Sequence, residues 1–140
     1  TDRSLNLEEI SIHGEDPAQY RMDLEYVSDW AKDLMEKYNI DGMHMPYYGN
    51  QVCSACGFNV WAGLFGFCRA HQGLKLDGVE LCLGKDIIPD GDSKHSVLIG
   101  KCTIESNREI EGVIKVPGCP PDPGKMAEIM TKALVSKPNG

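Results

Sequence analysis

The sequence lacks a long apolar run: none of its 140 residues belong to a stretch approaching the roughly 20 needed to span a bilayer. It is also poor in basic residues, with 14 Lys and Arg against 21 Asp and Glu, for a net charge of −7. That balance argues against a nucleic-acid surface, which needs clustered cations to neutralise phosphates, and against docking on anionic lipid. Aromatic residues make up only 7%. No P-loop, Rossmann fingerprint, EF-hand loop or Ser/His/Asp array is present, and Asp90-Gly-Asp92 reads as a turn. No signal-peptide pattern opens the residues. A hydrophobic fraction of 41% and a charged fraction of 25% are globular values. The length suits a single domain with a real core.

The apolar periodicity predicts three helices. The first runs from about Asp23 to Tyr38, with Leu24, Val27, Trp30, Ala31, Leu34, Met35 and Tyr38 on one face, and Asn39 and Gly42 as stop signals. A second, from Phe58 to about His71, is nearly apolar all round and is expected to be well buried. The third runs from about Lys125 to Val135 on a stripe of Met126, Ile129, Met130, Ala133 and Leu134. Strand candidates are Val79–Leu83, Ser96–Ile99 and Gly112–Val116, with a short strand-like stretch at Ile10–Ile12. Met43–Gly49 reads as a loop. Strands alternating with helices imply a small two- or three-layer α/β domain with a short parallel sheet, spanning residues 1–140.

Six cysteines, at positions 53, 56, 68, 82, 102 and 119, carry the chemistry. They allow 15 disulfide pairings, but small secreted scaffolds are denser in cysteine, and clustering in Gly/Pro-rich turns fits metal ligation in a reduced, cytoplasmic setting better. Cys53-x-x-Cys56 is a chelating pair, because two intervening residues let both thiolates face one side of a tight turn. Cys102 and Cys119 each follow a predicted strand, and ligands in an α/β sheet gather beyond the carboxyl ends of strands. Two of the expected helices begin just after Cys53-x-x-Cys56 and Cys119, and helix N-termini stabilise anions. Gly57, Gly100 and Gly118 would let backbone N–H groups approach the sulfurs, while Pro120 and Pro121 stiffen the exit of the last ligand loop. The four cysteines are therefore expected to bind a metal centre, with a 4Fe–4S cluster favoured. Zinc, which typically uses two compact pairs, is the alternative metal, and four buried small hydrophobes the alternative without one.

Cys68 and Cys82 read as core residues. His44 is open to three readings: ligand, proton donor or satisfied polar side chain. His71 reads as a helix terminator, and His13 and His95 as solvated loop residues. Met43, Met45, Tyr47 and Tyr48 could line a pocket beside the metal centre or shield it from water.

Val116-Pro-Gly-Cys-Pro-Pro121 followed by Met126-Ala-Glu-Ile-Met130 resembles the last cluster-ligand region of the small iron–sulfur subunit of respiratory complex I and of nickel–iron hydrogenase small subunits, over about residues 98–134. Those subunits use adjacent cysteines at the first ligand position, where this chain has Cys53-x-x-Cys56. The whole pattern of Cys-x-x-Cys, Gly-x-Cys and Gly-Cys-Pro-Pro is similar to a family of iron–sulfur proteins from anaerobic bacteria and archaea. That resemblance implies Cys53, Cys56, Cys102 and Cys119 as ligands, and it implies that the chain is the C-terminal part of a longer protein. The expected role is electron transfer to a partner domain or subunit, as an oxidoreductase component. The alternatives are a Lewis-acid enzyme such as a dehydratase, with His44 or a nearby Tyr moving protons, and a structural zinc domain.

Overall fold

A computed structural model describes residues 11, 13–20, 27–46 and 52–135. Four strands, β1 (Asp41–His44), β2 (Lys75–Leu83), β3 (His95–Ile99) and β4 (Ile114–Val116), form one parallel sheet in the order β1-β2-β3-β4. Helices α1 (Val27–Lys37), α2 (Ser54–Ala70), α3 (Lys101–Ser106) and α4 (Pro123–Met130) surround it, and α4 continues into a π-helical turn, Thr131–Val135. The expected parallel α/β domain is observed, with four α-helices and a short 3-10 turn at Pro17–Tyr20 among the described residues where about three helices were expected. The strand-like stretch at Ile10–Ile12 and the start of the first helix before Val27 lie outside the described residues, apart from Ser11.

Side-chain alternation divides the sheet into two faces. Val79, Leu81, Leu83, Val97, Ile99 and Val116 join one core with Val60, Leu64 and Phe67 of α2 and Met126 and Met130 of α4. Glu80, Cys82 and Leu98 alternate with them and are equally buried. The segment between β2 and β3 and helix α3 serve this second side. Thr103 Oγ1 bonds both Gly84 N (3.0 Å) and Gly84 O (3.1 Å), and Asn107 Nδ2 donates to Ile87 O (2.6 Å). β2 and β3 run parallel without a helix between them, so these hydrogen bonds fix a connection that an α/β fold usually assigns to a helix.

Two elements were not expected from the sequence. β1 occupies the start of the Met-rich segment read as a loop, and it places Met43 and Met45 in the core. α3 begins one residue before Cys102. α2 also departs from the expectation of all-round burial. It buries Gly57, Val60, Gly63, Leu64, Phe67 and Cys68, yet Phe58 is 68% and Trp61 37% exposed. Its apolar circumference exceeds the stripe that the sheet, α1 and α4 cover. The uncovered aromatics instead pack on one another, Trp61 stacking on Phe65 at 5.6 Å and Tyr38 meeting Phe65 edge-on at 6.0 Å. Among the described residues no helix is long and apolar enough to cross a membrane.

Candidate metal centre

The site is assembled from three chain segments at the carboxyl rim of the sheet. α2 starts four residues before the expected Phe58, so Cys53 is its N-cap and Cys56 lies in its first turn. Gly100, at φ +88°, ends β3 and caps α3, which puts Cys102 in that helix's first turn. β4 runs out through Pro117 into a tight loop closed by a Gly118–Pro121 bridge, with Cys119 in between. Gly118 has φ +128°, and a Cβ there would lie 2.7 Å from Pro121 Cα, so the loop closes only around a glycine.

Backbone and side-chain hydrogen bonds join these segments. Gly100 N donates to Val116 O (2.8 Å), and Lys101 N donates to Gly118 O (2.9 Å). Asn59 Nδ2 on α2 donates to Pro121 O (2.9 Å). Asn59 was not singled out from the sequence; an amide four residues after a tight turn carries no local signal of a partner 62 positions away. Asp122 caps α4, its Oδ1 accepting from Lys125 N at 2.8 Å, with Pro123 as the first helical residue.

All four expected cysteines, Cys53, Cys56, Cys102 and Cys119, line one cavity of about 170 Å³, together with Leu83, Gly84, Lys85, Ile99, Gly100, Lys101, Thr103 and Gly118. Cys68 and Cys82 do not; both are fully buried, and burial pushes the Cys68 thiol up to about 11. Met43 and Met45 lie in the core and do not border this cavity, while Tyr47 and Tyr48 fall outside the described residues. His71 ends α2 as expected and bonds Thr131 Oγ1 at 2.9 Å. His95 is exposed but opens β3 rather than sitting in a loop. His13 is exposed, 3.2 Å from Ser11 Oγ.

The two thiols of the Cys-x-x-Cys pair differ in acidity. N–H groups of the first turn of α2, that of Cys56 foremost, hold the Cys53 thiol below its ordinary value, although the side chain makes no regular capping hydrogen bond. Burial, then the Cys53 thiol and the charges of Cys119 and Cys102, push Cys56 up to about 12. Four thiols on one cavity are a donor set that suits either a 4Fe–4S cluster or a single zinc ion. Lys85 and Lys101 also line the cavity, with Lys101 Nζ 3.8 Å from Glu105 Oε1.

Beside Cys53 lies a second, apolar cavity of about 470 Å³, lined by Trp30, Val52, Cys53, Ser54, Gly57, Phe58 and Trp61. Comparison with protein-family models, with curated proteins and with solved structures finds no match in any of the three.

Proposed function

We propose that this chain is an iron–sulfur protein in which Cys53, Cys56, Cys102 and Cys119 hold a 4Fe–4S cluster that passes electrons to a partner domain or subunit. One observation carries the reading: four thiols from three distant segments line a single cavity, the third and fourth coming singly rather than as the second compact pair usual for structural zinc. Four thiols also suffice to saturate four irons, which supports electron transfer over a Lewis-acid reaction at an open iron. Bound there, such a cluster supplies one-electron chemistry. The chain's own contribution is to half-bury one thiolate, keep three near the surface, and tune the potential through N–H groups at two helix N-termini and the glycine turns. The apolar cavity beside Cys53, flanked by exposed Phe58 and Trp61, offers a redox partner a contact surface next to a ligand.

The test is anaerobic reconstitution with iron and sulfide, followed by visible absorption and EPR of the reduced protein. Brown protein whose absorption bleaches on reduction is expected, with cluster content lost in each of Cys53→Ser, Cys56→Ser, Cys102→Ser and Cys119→Ser. Cys68→Ser and Cys82→Ser should keep it. Colourless protein carrying one zinc per chain would overturn the reading. A cluster that survives loss of one of the four ligands would favour the open-iron enzyme instead.

A further inference from the structure

A second donor set lies on the Glu80 face of the sheet and uses none of the four cavity cysteines. His44, the last residue of β1, is paired with Glu80 of β2 in the parallel register, so the two side chains stand side by side on the same face. The connection between β2 and β3 brings Asp90 over them. Asp90 N donates to both carboxylate oxygens of Glu80 (3.3 and 3.2 Å), while Asp90 Oδ1 accepts from Asp92 N (2.8 Å) and Ser93 N (3.2 Å). With Oδ1 engaged by its own turn, Asp90 Oδ2 lies 3.8 Å from His44 Nε2. One donor atom from each of the three residues falls within 4.8 Å of the other two.

Glu80 makes this more than a chance meeting of surface acids. It sits in a run of buried strand residues with 2% exposure, and among the described residues no Lys or Arg is paired with it. A buried carboxylate must be hydrogen-bonded, protonated or paired with a cation, and around Glu80 stand the Asp90 N–H, the Cys82 thiol, the His44 imidazole and the Asp90 carboxylate. A divalent ion bound at about 2.1 Å holds its donors about 3.0–3.4 Å apart, so binding draws the three together from 3.8 Å for His44 and Asp90 and from no more than 4.8 Å for any pair. We propose that His44, Glu80 and Asp90 form a divalent transition-metal site. Imidazole with two carboxylates suits Mn²⁺, Fe²⁺, Co²⁺ or Zn²⁺ over the all-oxygen preference of Ca²⁺ and Mg²⁺. The His44 and Asp90 side chains are partly exposed, so an ion reaches the site from solvent, and water can fill its remaining positions.

Mn²⁺ is the probe, because it prefers oxygen and imidazole to thiolate and so reports on this site rather than on the cysteines. Loss of the free Mn²⁺ EPR signal on titrating the full chain should show one ion bound per chain at sub-millimolar concentration. Electron spin-echo modulation of the bound ion should show one imidazole nitrogen. His44→Gln should abolish that nitrogen coupling, and Glu80→Gln, which keeps an acceptor for Asp90 N, should weaken binding by roughly ten- to a hundredfold. Should Glu80→Gln fail to fold, Asp90→Asn on the exposed connection carries the same test. No binding below millimolar Mn²⁺, bound Mn²⁺ without nitrogen coupling, or affinity unchanged in Asp90→Asn would each overturn the proposal. None of these outcomes depends on whether the cysteines hold a cluster.

Discussion

Cys53 and Cys56 are three residues apart and border the same cavity, yet their environments pull their acidities in opposite directions. Cys53 is exposed at a helix N-terminus, where N–H groups stabilise the thiolate; Cys56 is half-buried among three other thiols, where a charge is opposed by desolvation and by its neighbours. A lowered value means that more thiolate is present at any given pH, so in metal-free protein Cys53 should alkylate first as pH rises. Cys56 should react only in strongly alkaline solution, and the buried Cys68, raised to about 11, should be shielded throughout. Iodoacetamide labelling across pH with peptide mass mapping reads this directly. Equal rates for Cys53 and Cys56 at neutral pH would show that the helix terminus does not control the pair. The same contrast says what a metal must do on binding: ligands bind deprotonated, so the centre displaces a firmly held proton from Cys56 and an easily lost one from Cys53.

Two glycines on α2 show how an element's contacts decide the sign of a substitution. Both lie inside the helix, where replacing Gly by Ala gains roughly 0.5–1 kcal/mol in backbone entropy. At Gly66 an added Cβ meets nothing within 4 Å, so Gly66→Ala should stabilise by about that amount. At Gly63 the Cβ would lie 2.8 Å from Met126 Sδ and 3.1 Å from Pro123 O. α4 would have to move off α2, and Gly63→Ala should destabilise by about 1–3 kcal/mol. Urea denaturation of the two variants checks both signs. The sequence alone shows an apolar helix here but not which glycine is a contact, and other elements divide in the same way. β2, β3, α2 and α4 are readable because continuous apolar runs or stripes between turn residues mark them locally. β1 escapes because it is four residues long, includes Gly42 at φ +74°, and ends on a histidine. α3 escapes because its six residues carry no apolar stripe; Thr103 and Asn107 hold it by hydrogen bonds to a distant segment. The convergence of the four cysteines on one cavity is readable from spacing and flanking glycines. His44, Glu80 and Asp90 come together only through strand register and the path of a connection, neither of which leaves a local mark.

At the scale of the molecule, the proposed metal centre sits at the rim of the core and touches it only through residues such as Leu83 and Ile99, and this determines how the protein should behave without metal. A small zinc finger unfolds when its ion is removed because nothing else holds it together. Here Val79, Leu81, Val97 and Ile99 pack under Leu64, Phe67, Met126 and Met130 with 0–1% exposure, and only the rim of the sheet is built from cysteine-bearing loops. That core does not require the thiols to be ligated. Metal-free protein should therefore stay folded, with local loosening confined to segments 52–57, 100–103 and 117–121, which Asn59 and two backbone hydrogen bonds still tether. Hydrogen exchange followed by mass spectrometry, on metal-loaded and metal-free protein at the same pH, should show faster exchange in those segments and unchanged protection in β2 and β3. Loss of protection throughout the sheet would mean that the centre is part of the folding nucleus. A rim that exchanges identically in both states would mean instead that the four cysteines hold no ligand in common.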